Sequence, residues 1–261
     1  MNLDGKTLLD IACNAAKEAG KIQVERLFLP KKVTFKGSID LVTEVDIQCE
    51  ETVRNILKRT YPSHDILSEE TSFKSSNSPY LWIVDPLDGT TNYTHGYPCF
   101  SVSIALQIEG RMFLGVVHNP MTDEYYTALK NHGAFRNGQP IHVSKTKTVS
   151  RALLCTGFPY DVGTSERNNL GEFVRLVKRA QGVRRDGSAA LDLCRVAEGT
   201  FDGFWEIKLK PWDVAAGALI VMEAGGTVTT FDGMSFDPFA DTIICTNSLI
   251  HDEMQTLLNQ K

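Results

Sequence analysis

The chain has 261 residues, 42% of them hydrophobic and 23% charged, with a net charge of −5; this length and composition suit a globular fold with a large core and exclude a disordered or fibrous chain. Lysines and arginines are dispersed apart from small clusters such as Arg184-Arg185, so no basic stripe points to nucleic acid, and no apolar run reaches membrane length. Six cysteines stand far apart with no Cys-x-x-Cys pair, and the N-terminus lacks a basic segment followed by an apolar core, which points to free thiols in a soluble cytoplasmic protein.

In chain order, Leu8, Leu9, Ile11, Ala12, Ala15, Ala16, Ala19 and Ile22 recur at helical spacing behind Asp4, a suitable N-cap, and predict a scaffold helix. Val33 leads through Asp40 into a second helix over 41–60, where Val45, Cys49, Val53, Ile56 and Leu57 share a face and Tyr61-Pro62 ends it. Asp46 lies near its start, where an acid alone reads as a partner for the helix dipole. Residues 65–68 are a short extended piece carrying Glu69 and Glu70 into a polar stretch, 71–78, expected to be a mobile loop.

Tyr80 to Val84 is short, aromatic and β-branched, as in a strand buried on both faces, and Pro86 denies the sheet a donor just past it. Asp85 is therefore expected at the strand's carboxyl end, where open α/β sheets place ligands. Asp85 and Asp88, three apart across a proline-containing turn, can turn two carboxylates into one space, and two bare carboxylates so close need a cation. Gly89 allows close backbone approach, while Thr90 and Thr91 can open a helix whose free N–H groups face an anion. Asp-Pro-Leu-Asp-Gly by itself is equally compatible with an ordinary surface turn.

Beyond this stretch, 100–108, 112–118, 124–129 and 141–144 are extended runs separated by turn signals such as Asn137-Gly138 and suggest an antiparallel meander. The second half alternates: strand 153–157, helix 168–180, strand near Val183, helix 188–198, strand 201–207, helix 212–224, strands 227–231 and 242–246, and a final helix. Such alternation argues for an α/β layer packed beside the first lobe. Lys210-Pro-Trp-Asp starts the third of these helices, where Asp213 reads as a helix-start acid. A magnesium phosphatase, however, gathers hard oxygen ligands from distant segments, and Glu69, Asp85, Asp88 and Asp213 can supply them.

Trp82-Ile-Val-Asp-Pro-Leu-Asp-Gly-Thr-Thr-Asn-Tyr closely resembles the first signature of the inositol monophosphatase family, and Pro211-Trp-Asp-Val-Ala-Ala-Gly resembles its second. Ser68-Glu-Glu-Thr fits the acidic pair ahead of the first signature, with serine where glycine is usual. Lys36-Gly-Ser-Ile-Asp-Leu-Val-Thr-Glu-Val-Asp and Arg184-Arg-Asp-Gly-Ser-Ala-Ala-Leu-Asp-Leu-Cys extend the resemblance over nearly the whole chain.

The resemblance implies an α/β (α+β) fold, a layered α-β-α-β-α sandwich of the inositol monophosphatase and fructose-1,6-bisphosphatase type. It implies one compact domain, 1–261, with an N-terminal α+β lobe (about 1–150) and a C-terminal α/β lobe (about 151–261), assembled as a homodimer. The implied activity is Mg²⁺-dependent hydrolysis of myo-inositol monophosphate by an activated water. Rival readings are other phosphate esters (fructose 1,6-bisphosphate, histidinol phosphate, 3′-phosphonucleotides) and a non-catalytic, partner-binding member. Glu69, Asp85 and the Leu87 carbonyl are expected to hold one Mg²⁺, and Asp85, Asp88 and Asp213 a second, with a third, weaker site at Glu69. Thr90, backed by Asp46, is expected to orient the water, and Gly89 and Thr90 N–H groups to hold phosphate. Glu206, Ala189 and the Gly187-Ser188 turn are expected around the leaving alcohol, and Asp213 is expected to bind substrate as well as metal. His95 is expected to serve only its loop, and Arg184 and Arg185 carry no assigned role.

Overall fold

The computed structural model describes residues 4–30, 33–35 and 41–260. Residues 36–40 of the Lys36-to-Asp46 motif and the first three residues lie outside the described residues. Helix α1 (Gly5–Arg26) is capped by Asp4, whose carboxylate accepts from Lys6 and Thr7 N–H. Strands β1 (Val33–Phe35) and β2 (Leu41–Thr43) pair antiparallel, so the second helix, α2 (Glu44–Thr60), begins three residues later than its periodicity predicts. The reason is local: Thr43 is the N-cap, and Thr43 and Asp46 form a reciprocal capping box.

Strand β3 (Asp65–Ser68) pairs parallel with β4 (Tyr80–Asp88). The intervening polar stretch is irregular, as expected, and is fastened at Ser75 and Ser76, which donate to Asp65. Strand β4 does not stop at Pro86: Asp85 pairs with Ser103 and Asp88 with Ser101, with a register shift between them. A bulge thus absorbs the missing proline donor and lets both aspartates remain on one strand. A one-turn helix, α3 (Thr90–Thr94), follows.

The expected meander is present as β5 (Ser101–Ile108), β6 (Arg111–Asn119) and β7 (Glu124–Leu129). It continues differently from expectation. Asn137-Gly138 turns a hairpin between β8 (Ala134–Arg136) and β9 (Gln139–Ile141), and the strand predicted at 141–144 ends with Ile141. The alternating half is built of β10 (Leu153–Thr156), α4 (Leu170–Val177), β11 (Gly182–Arg184), α5 (Ala189–Ala197), β12 (Gly203–Ile207), α6 (Pro211–Glu223), β13 (Thr227–Thr229), β14 (Thr242–Thr246) and α7 (His251–Leu258).

Period-two alternation sorts these elements into layers. A seven-stranded sheet runs β3-β4-β5-β6-β7-β8-β9, and a five-stranded sheet runs β11-β10-β12-β14-β13. On the first sheet Trp82, Val84, Ile104, Leu106 and Val116 pack against α1 and α2, while Ile83, Ala105 and Val117 face α5 and α6. On the second, Cys155, Phe204 and Cys245 face α5 and α6 from the other side, and Leu154, Trp205 and Ile244 pack under α4 and α7. The order is α-β-α-β-α, with α5 and α6 between the sheets. Sliding β4 by one residue would turn Trp82 and Val84 to the wrong layer. Each such side chain is worth roughly 1.5–3 kcal/mol when buried, so the packing that fixes β4 also fixes Asp85 and Asp88.

Candidate active site

The carboxyl end of β4 opens into a cavity of about 460 Å³ lined by Glu69, Asp85, Leu87, Asp88, Gly89, Thr90, Ala189, Glu206 and Asp213 among others. Asp46 is not on that lining; it stands behind Thr90. All the expected site residues except Asp46 therefore share one pocket. His95 is exposed and absent from the lining, consistent with a loop role. Arg185 lines the pocket and Arg184 does not.

The acids arrive on three segments: Glu69 after β3, Asp85 and Asp88 on β4, and Asp213 on α6. Ser68 ends β3 and delivers Glu69, while Glu50 on α2 accepts the Glu70 N–H at 2.8 Å and so anchors the turn. Gln23 of α1 donates to the Pro86 carbonyl at 2.8 Å, pinning the bulge, and Asp85 Oδ1 accepts from Leu87 N–H at 3.0 Å. Asp88 is held from the far sheet's side: Oδ2 accepts from Ser188 Oγ at 2.5 Å and Ala190 N–H at 2.9 Å, at the start of α5. Ser103 Oγ donates to the Trp212 carbonyl at 3.1 Å, tying the start of α6 to the strand partner of Asp85. That contact brings in Asp213, whose own Oδ2 accepts from Lys210 N–H at 2.7 Å.

Gly89 occupies the left-handed region at φ 94°, and a Cβ there would lie 3.0 Å from the Cys99 carbonyl. Only glycine fits both demands. Asn92 reinforces the turn by donating to the carbonyls of Cys99 and Asp186, both at 2.7 Å. Behind it, Asp46 is 1% exposed, and its Oδ1 lies 3.0 Å from Thr90 Oγ1, while Oδ2 accepts from Thr43. Thr90 Oγ1 is also 3.1 Å from the Leu87 carbonyl. One hydroxyl has one proton, so it donates to one of these oxygens at a time and keeps lone pairs for a further donor.

Electrostatically the pocket is over-supplied with anions. Burial pushes Asp85 well up, reinforced by Glu69, Asp88 and Asp213; burial also raises Asp213, with Asp88 and Glu69 adding to it. Asp88 is raised by burial to about 6 even though it accepts several hydrogen bonds. These carboxylates cannot all stay ionised side by side without a cation. Among the described residues, no three His, Cys, Asp or Glu side chains close into a ready-made metal cage. The donor set nonetheless fits Mg²⁺: oxygen only, carboxylate-rich and bordered by open pocket. Mg²⁺ takes few protein ligands and keeps waters in its other positions.

On the opposite wall Glu206 is 7% exposed and pushed well up by burial, then by Asp213. Gly157 packs directly on its carboxylate, since a Cβ there would stand only 2.3 Å from Oε1. Sequence reasoning gave no role to the 158–161 wall or to Lys208, whose Nζ bonds Asp161 and Ser165 at 2.7 and 2.9 Å. It also left Asp192 unassigned, although that residue lies within the Arg184-to-Cys194 motif; its place three residues beyond Ala189 on α5 was the available signal.

A family model described as "Inositol monophosphatase family" matches residues 4–261. The solved inositol monophosphatase from Anabaena (Nostoc) is 44% identical, superposes with a TM-score of 0.89, and is matched over 97% of this chain and 95% of that one. A relative from Pseudomonas aeruginosa, named Nus factor SuhB, is 45% identical over 87% of this chain and 86% of its own length. A structure described as an IMPase/NADP phosphatase complexed with Mg²⁺ and phosphate is 26% identical, with a TM-score of 0.86 over 98% of this chain and 97% of that one.

Proposed function

The chain belongs to the inositol monophosphatase family, a family of phosphatases, and from that premise we propose that it is an Mg²⁺-dependent phosphomonoesterase that hydrolyses myo-inositol monophosphate to myo-inositol and phosphate. The observation that carries this reading is the convergence of Glu69, Asp85, Asp88 and Asp213, from the end of β3, from β4 and from α6, on one pocket that also holds the Gly89-Thr90 turn.

Glu69, Asp85 and the Leu87 carbonyl would hold one Mg²⁺ and Asp85, Asp88 and Asp213 a second, with a third, weaker position at Glu69. Bound there, Mg²⁺ supplies Lewis acidity that makes water a nucleophile at neutral pH and offsets charge on the leaving oxygen. The protein's own groups do the positioning. Gly89 and Thr90 N–H groups face the phosphate at the mouth of α3. Thr90 Oγ1, its proton directed to Asp46 Oδ1, turns a lone pair toward a hydrogen of the attacking water, and Asp46 takes up the displaced proton. Ala189 and Glu206 meet the leaving alcohol, where a carboxylate accepts hydrogen bonds from vicinal hydroxyls.

The same premise supports a homodimer, and α4 leaves Leu170, Val174 and Val177 exposed along one face, an apolar stripe that a second copy would cover. The reading of both lobes as one domain is supported by α5 and α6, which contribute to the core between the two sheets. Six free thiols suit a reducing compartment, taken here as the cytoplasm, and no helix among the described residues is long and apolar enough to cross a membrane. The test is phosphate release from a panel of phosphomonoesters with and without Mg²⁺. Metal-dependent release, fastest from inositol monophosphate, is the expected result. Absence of release from every ester would leave the partner-binding reading, which the name of the Pseudomonas aeruginosa relative raises, in its place.

A further inference from the structure

Asp192 is 2% exposed and lines the cavity, and its carboxylate accepts no hydrogen bond from any described residue; only its backbone carbonyl accepts, from Cys155 Sγ at 3.9 Å. Its position is not explained by helix capping. The N-cap role on α5 is filled by Ser188, whose Oγ accepts from Leu191 N–H, and Asp192 gives only its backbone N–H to the Ser188 carbonyl. Nor does an ion pair hold it, since Arg185 acts on it through space without a salt bridge among the described residues. A carboxyl buried this deeply with no donor is costly unless something else satisfies it. What little of it is accessible faces the pocket.

Geometry locates that face: Cys155 Sγ reaches the Asp192 carbonyl at 3.9 Å, and Gly157, two residues further on, packs against the Glu206 carboxylate, so Asp192 lies on the Glu206 side of the cavity. Burial pushes its carboxyl well up, and Asp186, Glu206 and Asp88 add to that. The Glu206 carboxylate likewise accepts no hydrogen bond from any described residue. Two buried carboxyls without protein donors therefore line the same cavity as the clustered acids. We propose that Asp192 is a second specificity-determining residue, which together with Glu206 selects a leaving alcohol rich in hydroxyl donors and disfavours one carrying a second anionic group. The pair can accept several hydroxyl protons at once, from two walls, which a single carboxylate cannot do with good geometry. A second phosphate placed between them would meet an acidic group on each side in a poorly screened site, with Arg185 the cation that acts on both.

The inference rests on the phosphatase reading and is tested by Asp192→Asn, which keeps size and shape. kcat/KM is measured for inositol monophosphate, fructose 1,6-bisphosphate and p-nitrophenyl phosphate, which lacks hydroxyls, all with saturating Mg²⁺. The ratio of inositol monophosphate to p-nitrophenyl phosphate should fall about tenfold, the size of one charge-assisted hydrogen bond. The ratio of the bisphosphate to inositol monophosphate should rise by at least as much. The melting temperature should hold or increase, because a buried carboxyl without a protein donor has been replaced by a neutral amide of the same shape. A parallel fall on all three esters with a lower melting temperature would make Asp192 a structural residue and overturn the proposal; so would unchanged ratios. Should the unmodified protein hydrolyse none of the esters, it is the phosphatase reading that fails, and the two failures are distinguishable.

Discussion

Thr90 Oγ1 lies 3.0 Å from Asp46 Oδ1, joining the first residue of α3 to the first turn of α2 across 44 positions of sequence. The same Asp46 caps α2 through Thr43, so one buried carboxylate both starts a helix and orients a hydroxyl in the pocket. Thr90→Ala should lower kcat by about a hundredfold or more while moving KM only a few-fold, because orientation matters most in the transition state. Thr90→Ser should restore most of it. Combining Thr90→Ala with Asp46→Asn should cost much less than the product of the single effects, since both act through one hydrogen bond. Steady-state kinetics on the four proteins checks this, and a large rise in KM at constant kcat would instead make Thr90 a binding residue.

Glu50 is 2% exposed and holds the Glu70 N–H with Oε2. Glu50→Ala frees the turn that delivers Glu69 and should raise the Mg²⁺ concentration for half-maximal activity about tenfold. Glu50→Gln keeps an acceptor oxygen at the same reach and should remain within about threefold. Calorimetric titration with Mg²⁺ in the absence of substrate reads the same change without turnover.

Clustered carboxylates should make the metal-free protein less stable than the loaded one. At a hundredfold excess over its dissociation constant, Mg²⁺ stabilises by about 2.7 kcal/mol, or roughly 5–10 °C in melting temperature for a chain this long. Removal with EDTA should reverse the gain. An unchanged melting temperature with saturating Mg²⁺ would show that these acids do not gather a cation.

His64 stacks between Tyr61 and Tyr80, and its Nδ1 accepts from Trp82 Nε1 at 3.1 Å. Burial lowers its pKa from the usual 6.5, with Lys58 adding to the effect. The folded state thus resists a proton that the unfolded chain accepts. The contribution is fully present above about pH 6.5 and is lost as pH falls toward the depressed folded value. With Mg²⁺ saturating, the melting temperature should fall between pH 7.5 and 5.5, and His64→Gln, whose amide oxygen can still accept from Trp82, should flatten that slope. An identical slope would assign the effect to other groups.

The elements and the metal-site acids were legible in the sequence for different reasons. The strand and helix runs could be read locally, but the layering came only through the family resemblance; the split of Trp82 from Ile83 and of Phe204 from Trp205 onto opposite layers is a tertiary outcome. Glu69, Asp85, Asp88 and Asp213 were legible only as two motifs in order, because what unites them is tertiary: Gln23 on Pro86, Ser188 on Asp88, Ser103 on the Trp212 carbonyl. The continuation of β4 through Pro86 was missed because a bulge depends on the partner strand, which supplies Ser101 and Ser103 out of step. Short strands β8 and β9 were missed because three residues are too few to show a period. Asp192 was passed over because a helical acid near an N-terminus has an ordinary explanation until its burial and lack of donors are seen.

The most direct test of the account is Asp85→Asn. The bridging position loses its charge, yet an amide oxygen can still accept from Leu87 N–H, so the bulge should survive. Phosphate release from inositol monophosphate, measured at saturating Mg²⁺, should drop on the order of a thousandfold or more, with the far-ultraviolet circular dichroism unchanged. Turnover near that of the unmodified protein would contradict the assignment of these acids as the metal site.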